Sequence, residues 1–102
     1  MMGVMSFDIH PFGFYMVVSI MFNIKVYSLE PNSMTLMYSF SMHNVKRVQY
    51  SPDGSTIVLF SSRKIKLVDA YSFDLKEEYQ EKNYNINDIC MGDKDKKIYI
   101  LL

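Results

Sequence analysis

The sequence predicts an all-β fold built from a repeated four-stranded unit, and three observations support that prediction. Short apolar segments alternate with turn-forming residues along most of the chain, which is the pattern of antiparallel strands joined by tight turns. A proline-containing turn, His10-Pro11-Phe12-Gly13, recurs as Ser51-Pro52-Asp53-Gly54. The prolines and the glycines of these two turns are each 41 residues apart. A fixed period of this length indicates an internal structural repeat.

The first unit is predicted to occupy residues 6–40 and to contain four strands. Ser6 to Ile9 alternates polar and apolar side chains, which is the period of a half-buried strand. Phe14 to Phe22 is a continuous apolar run, as expected of a strand that is covered on both faces. The third and fourth strands are expected at Ile24 to Leu29 and Met34 to Phe40.

The second unit is predicted at residues 45–81 and contains the best-preserved copy of the repeat, Val45 to Ser62. After the Ser-Pro-Asp-Gly turn, this copy continues into the wholly apolar segment Thr56 to Phe60, and Ile65 to Ala70 follows as the third strand. The fourth-strand position holds the charged segment Lys76 to Glu81. A charged outer strand and a solvated helical turn capped by Asp74 both fit this segment.

A half unit is predicted at residues 86–102. Asn87 to Cys90 takes the place of a first strand, and Lys97 to Leu102 takes that of a second. The segment Met91 to Asp95 between them is a looser turn without proline. Cys90 lies in an apolar context, so we expect a small core residue rather than a nucleophile.

Composition excludes several classes of protein. Eleven basic and eleven acidic residues give no net charge to concentrate nucleic acid or an anionic membrane. One cysteine allows no intrachain disulfide, so a reducing compartment fits best. Phe12 to Ile24 is shorter than the roughly 20 residues of a membrane span, and no signal peptide of the usual form precedes it. Neither nucleic acid nor membrane is expected as a partner.

No catalytic, cofactor-binding or metal site is predicted. His10 precedes a proline in a turn, without further ligands at metal-binding spacing, and His43 lies in a polar loop between units. Asp93-Lys94-Asp95 lacks the spaced ligands and closing glutamate of an EF-hand. The sequence also contains neither a nucleophile elbow nor a glycine-rich phosphate loop. We therefore expect a protein that is not an enzyme.

Basic side chains are the candidate partner contacts. They form two small clusters: Lys46, Arg47, and Arg63, Lys64, Lys66. Arg63 and Lys64 are expected in the hairpin between the second and third strands, on a rim open to partners. Small mixed clusters are common on solvated surfaces, so a passive role is one interpretation. Contact with an acidic partner such as a tubulin surface is the other.

The repeat resembles WD-repeat β-propeller blades. The resemblance rests on Val45-x-x-Val48-x-Tyr50-Ser51-Pro52-Asp53-Gly54 and on Ile65-x-Leu67-Val68-Asp69. It implies about two and a half blades of an incomplete propeller that acts as a non-catalytic protein-interaction scaffold. Tyr27 and Val68 stand at the position of the family's tryptophan, and Ser41 stands where a histidine is frequent. We therefore expect apolar packing in place of the family's buried hydrogen-bond network.

A narrower resemblance, to the large ciliary and flagellar WD-repeat proteins, lies in the segment His10 to Val18 and in Ile24-Lys25-Val26. It implies tubulin, dynein-associated or other axonemal proteins as partners and a cytoplasmic or cytoskeletal location, with the cilium axoneme as the specific expectation. The alternative is a small accessory subunit of a large membrane or ribonucleoprotein complex, in which Phe12 to Ile24 is a helix.

The incomplete number of repeats predicts that the chain is a fragment or a split subunit. Its propeller would be completed by further blades from the same or another chain, because a ring usually takes four to eight. Without them, strand edges would be exposed at Met34 to Phe40 or at Lys97 to Leu102, and such edges promote aggregation.

Overall fold

The computed structural model describes residues 4–92 and 97–102, and that part of the chain contains strands and turns but no helix. No segment of it is therefore a helix long and apolar enough to cross a membrane. The ten strands are β1 (Val4–Ile9), β2 (Tyr15–Ile20), β3 (Asn23–Glu30), β4 (Ser33–Ser41), β5 (Arg47–Tyr50), β6 (Thr56–Phe60), β7 (Lys64–Asp69), β8 (Leu75–Gln80), β9 (Asp88–Met91) and β10 (Ile98–Leu101).

The strands form three antiparallel sheets in which each strand pairs with its neighbour in sequence. The first sheet has the order β1-β2-β3-β4, the second has β5-β6-β7-β8, and the third pairs β9 with β10. The charged segment predicted at Lys76 to Glu81 is the outer strand β8, so the helical-turn interpretation of this segment is wrong. The domain division at 6–40, 45–81 and 86–102 stays a prediction.

The apolar run Phe14 to Phe22 is not one continuous strand, contrary to prediction. Strand β2 ends at Ile20, which pairs with Asn23 at the start of β3. Met21 and Phe22 form the two-residue turn between them, and Met21 has a φ of 47°, as the first position of a tight hairpin turn requires. The proposed helix at Phe12 to Ile24 is wrong for the same reason.

The core lies between the sheets, in two apolar clusters. The first cluster joins the first and second sheets and includes Val17, Ile24, Val26, Val48, Ile57 and Leu59. The second cluster joins the second and third sheets and includes Val58, Phe60, Ile65, Ile86 and Ile89. Alternate residues of β6 therefore enter different clusters, which is why this strand is apolar on both faces.

Strands β1 and β5 lie side by side and are joined through side chains rather than through a backbone ladder. The Val48 N–H donates to Ser6 Oγ at 3.3 Å, and the Tyr50 N–H donates to Asp8 Oδ2 at 2.8 Å. Both contacts span 42 residues, so the two strands run in the same direction. The sheets thus pack as separate units with corresponding strands adjacent.

His10 connects the turn after β1 to the second sheet. Its buried ring accepts the Phe12 N–H at Nδ1 over 3.1 Å, which confirms the predicted role within its own turn. Its Nε2 lies 3.0 Å from the Gly54 carbonyl oxygen, which can only accept, so the tautomer with the proton on Nε2 fits both contacts. The ring also packs edge-on against Tyr15 and Tyr50.

Two glycines of equivalent turns test this contact. Gly13 and Gly54 both have a left-handed φ, of 84° and 77°. A Cβ at position 13 meets nothing within 4 Å, whereas one at position 54 would lie 2.3 Å from His10 Nε2. Gly13→Ala should lower the free energy of unfolding by about 1 kcal/mol, the cost of a left-handed alanine. Gly54→Ala should lower it by roughly 1–3 kcal/mol more, because the ring must move.

Urea unfolding followed by circular dichroism measures both losses. In a His10→Ala background, Gly54→Ala should cost no more than Gly13→Ala. Equal losses for the two alanine variants in the presence of His10 would contradict the proposed contact.

Candidate interaction surfaces

Lys46 and Arg47, the first predicted contact cluster, lie against the third sheet. Lys46 Nζ donates to the Ile86 carbonyl at 3.3 Å. The Arg47 guanidinium donates to the Ile89 carbonyl at 2.9 Å and pairs with Asp88 Oδ1 at 2.6 Å. These contacts attach the third sheet to the second. A further role of the two residues in partner binding stays a prediction.

Arg63, Lys64 and Lys66, the second cluster, lie in and after the β6–β7 hairpin, where the strand order predicted them. Arg63 is exposed and donates to the Lys82 carbonyl at 3.0 Å. Lys64 pairs with Glu78 at 3.5 Å, and Lys66 lies opposite Glu78 in the β7–β8 ladder. Exposed pairs of this kind add little stability. Arg63 therefore presents its charge most openly, and its role in binding stays a prediction.

The two clusters should differ in mutational effect. Arg47→Ala removes both contacts to the third sheet, so backbone amides of β9 and β10 should exchange about tenfold faster, as expected when a charged hydrogen bond is lost. Arg63→Ala is the matched control and should leave these amides unchanged. Hydrogen exchange followed by NMR measures both variants. Unchanged protection of the β9 and β10 amides in Arg47→Ala would show that the Arg47 contacts to Ile89 and Asp88 do not hold the third sheet in place.

An apolar surface lies on the first sheet, on the side that faces away from the second sheet. Directly paired residues share a face, and Ile9, Met16, Tyr27 and Leu36 are linked in this way across the four strands. We call this side the open face and define it by Phe7, Ile9, Tyr27, Leu29, Met34 and Leu36. Phe7, Ile9, Met34 and Leu36 are 61%, 47%, 57% and 50% exposed.

Sequence reasoning did not identify the open face, because its residues follow the same alternation as core residues. One signal was present in the sequence. Only six of the 22 charged residues occur up to Phe60. A sheet with one face in water normally carries polar side chains on that face. The scarcity of charge is thus a sequence signal of an apolar sheet face.

The two strand edges predicted to be exposed, those of β4 and β10, are free in the described part of the chain. Strand β4 is the last of the first sheet, and β10 pairs only with β9 among the described residues. The two outer strands β4 and β8 differ in composition: β4 reads SMTLMYSFS without a charge, whereas β8 reads LKEEYQ. Charged side chains discourage edge-to-edge pairing, so β8 is protected and β4 is not.

A groove of about 270 Å³ lies between β10 and the face of β7 and β8. We call it the β10 groove. It is lined by Ile65, Leu67, Glu77, Tyr79, Ile98 and Ile100. All but Glu77 are apolar or aromatic, and they belong to three different strands.

Two further predictions concern single side chains. Cys90 is exposed, so its predicted place in the core is wrong. Its neighbours Ile89 and Met91 point toward the second sheet, and the period-two alternation of a strand places Cys90 on the other face. His43 is exposed and packs on Phe22 with 4.8 Å between ring centroids, which confirms its surface position.

The described residues contain no group of three His, Cys, Asp or Glu side chains that could hold a metal ion. The predicted turn at Met91 to Asp95 continues into residues 93–96, which lie outside the described part, as does the Asp93-Lys94-Asp95 segment.

No protein-family model and no curated protein matches this sequence. Solved structures do match. The crystal structure of RRP9 WD40 repeats superposes with a TM-score of 0.83 at 12% identity, over 97% of this chain and 32% of that one. The crystal structure of Kluyvelomyces marxianus Hsv2 superposes with a TM-score of 0.63 at 10% identity, over 89% of this chain and 28% of that one.

These similarities establish the fold. The chain is an all-β set of WD40-type propeller blades, and the predicted fold class, a partial propeller, is confirmed. The chain spans about a third of the length of the solved chains that it matches. At 10–12% identity the likeness concerns architecture alone.

Proposed function

We propose that this chain is a non-catalytic scaffold that binds other proteins, with the open face of the first sheet as its main contact. The observation that carries this proposal is the exposure of Phe7, Ile9, Met34 and Leu36 on one side of a complete four-stranded sheet. Contiguous apolar surface of this kind on a folded sheet is typical of a protein-binding site. The proposal assigns no catalytic residue, cofactor, nucleic acid or membrane.

The chain itself indicates what covers such a face. The opposite face of the first sheet is covered by the second sheet, which contributes Val48, Ile57 and Leu59 to the first cluster. The second sheet is covered by the first sheet on one side and, over β5 to β7, by the third sheet on the other. A further blade, from the same protein or from another chain, would cover the open face by the same packing.

The specific proposal is a structural component of the ciliary axoneme, with tubulin, dynein-associated or other axonemal proteins as partners and a cytoplasmic or cytoskeletal location. Its support is the resemblance of His10 to Val18 and Ile24-Lys25-Val26 to ciliary WD-repeat proteins, together with the open charge of Arg63. No observation favours the alternative of an accessory subunit in a membrane or ribonucleoprotein complex.

Site-specific cross-linking in cells tests the scaffold. A photoreactive phenylalanine analogue placed at Ile9 or at Leu36 should yield a discrete protein adduct, because both side chains lie on the open face. The same analogue at Tyr84, an exposed position outside the open face, is the matched control. Phe7→Ser should reduce the adduct formed at Leu36. Recovery of the uncross-linked chain alone from both open-face positions would contradict the proposal.

Microtubule co-sedimentation tests the axonemal proposal. Because tubulin carries an acidic surface, reversal of two charges in Arg63→Glu/Lys64→Glu should weaken binding about tenfold and flatten its salt dependence. Lys76→Glu, at the opposite end of the second sheet, should change binding little. Identical sedimentation of the double variant and the unmodified chain would rule out tubulin contact through this hairpin.

A further inference from the structure

We propose that the outer edge of β4 pairs, antiparallel, with the β4 edge of a second copy of this chain and joins the two first sheets into one. The pairing centres on Thr35, which lies opposite itself across a two-fold axis. This inference goes beyond the scaffold function, because it concerns a strand edge rather than the open face, and the partner is the chain itself.

The edge of β4 is free although its sheet has all four strands. Strand β4 pairs with β3 on one side, and no strand of the described part pairs with the other side. Every residue of β4 is exposed except Phe40, which is half-buried. A strand edge in water carries unpaired N–H and C=O groups, which a further strand can satisfy. The four-stranded unit does not provide that strand.

Composition separates β4 from its counterpart in the second sheet. Strands β4 and β8 both lie at the outer edge of a four-stranded sheet. Strand β4 reads SMTLMYSFS without a charge, whereas β8 reads LKEEYQ. Because two copies of one repeat differ in this way, the uncharged edge is a property of β4 and not a requirement of the sheet.

The sequence of β4 is complementary to itself around Thr35. An identical antiparallel pair is closed by a two-fold axis, so the contact gives a dimer rather than a fibre. In this register Met34 lies opposite Leu36 of the second copy, and Thr35 lies opposite Thr35. An axis perpendicular to the sheet keeps both open faces on one side, so the opposed Met34 and Leu36 side chains meet there. Apolar pairs and Thr–Thr pairs directly opposite each other stabilise antiparallel strands.

The same operation on β8 brings like charges together. An axis through Glu77 or through Glu78 places that residue opposite itself, and an axis between them places Glu77 opposite Glu78. Like charges directly opposite each other are destabilising. Lack of charge alone would suit many partners, but the match of Met34 to Leu36 around Thr35 selects a second copy.

A turn and a bulge limit the length of the paired edge. The turn after β3 ends before Ser33, where β4 begins. The register between β3 and β4 shifts after Leu36, and Met37 is the extra residue of a bulge. Residues 33–37 therefore form the regular edge, and all of them find partners when the axis passes through Thr35. Such a short interface predicts a reversible dimer that dissociates on dilution.

Cysteine cross-linking tests the register. Cys90→Ser removes the only native thiol and provides the background. In it, Thr35→Cys should form a disulfide-linked dimer under mild oxidation, because opposed residues of antiparallel strands have Cα atoms about 4.5–5.5 Å apart, within disulfide reach. Ser39→Cys, exposed on the same strand beyond the bulge, is the matched control and should give much less dimer. Equal yields at the two positions would overturn the pairing.

Sedimentation equilibrium of the 102-residue chain tests the association without a cross-link. Thr35→Lys and Thr35→Glu should each raise the dissociation constant about tenfold, because like charges meet at the axis. An equimolar mixture of the two variants should restore the dimer, which also shows that both are folded. Ser39→Lys is the control and should associate like the unmodified chain. A monomer at every concentration, a dimer unaffected by Thr35→Lys, or a mixture without rescue would overturn the proposal.

The outcomes can be told apart from those of the scaffold test. Ile9 lies on β1, at the opposite edge of the first sheet from β4. A monomeric chain with intact adducts at Ile9 would remove the β4 dimer and leave the scaffold. A dimer that is rescued by the Lys and Glu mixture, without adducts at Ile9, would do the reverse.

Discussion

The burial of one sheet face against the next sheet is the constraint on which the rest of the structure depends. A twisted four-stranded sheet has no interior, so its apolar residues leave water only where two sheets meet. Strand β6 shows this most directly, since Ile57 and Leu59 enter one cluster and Val58 and Phe60 enter the other. Polar contacts supplement this packing at the ends of the strands. Asp8 accepts the Tyr50 N–H. Burial raises the pKa of the Tyr50 hydroxyl above its usual value, and the nearby Asp8 carboxylate raises it further.

Turn residues and the 41-residue period predicted the strand order because both are local signals. Proline and glycine fix backbone angles wherever they occur, and the turns at Gly13 and Gly54 formed as expected. The end of β2 was not predicted, because Met21 adopts a left-handed conformation without being glycine, asparagine or aspartate. The prediction that Cys90 lies in the core was wrong for another reason. In a short apolar strand the sequence does not say which of the two alternating faces is inward, and only the packing of Ile89 and Met91 against the second sheet decides it.

The candidate surfaces were less predictable than the fold. Arg47 and Arg63 look equivalent in the sequence, but Arg47 contacts Asp88 and the Ile89 carbonyl, more than 40 residues away. Long-range contacts of this kind have no local signature. His10 was assigned to its turn correctly, yet its bond to the Gly54 carbonyl depends on how two sheets stack. Tyr27 and Val68 stand where WD-repeat proteins have a tryptophan, and this difference was the basis for predicting apolar packing. Asp69 accepts the backbone N–H groups of Ser72 and Tyr71 in the turn after β7, and these hydrogen bonds hold the pKa of its carboxyl below the usual value. Stacked rings such as Tyr38 and Phe73 join the first and second sheets.

Two surfaces in the described part of the chain are not covered by its own sheets. The open face belongs to a sheet whose four strands are all present, so only another preformed apolar surface can cover it. Such sheet-on-sheet contacts resemble a domain core and are typical of permanent association. The third sheet has two strands, and β10 presents both a hydrogen-bonding edge and an apolar groove. The open face is therefore suited to a constitutive neighbour.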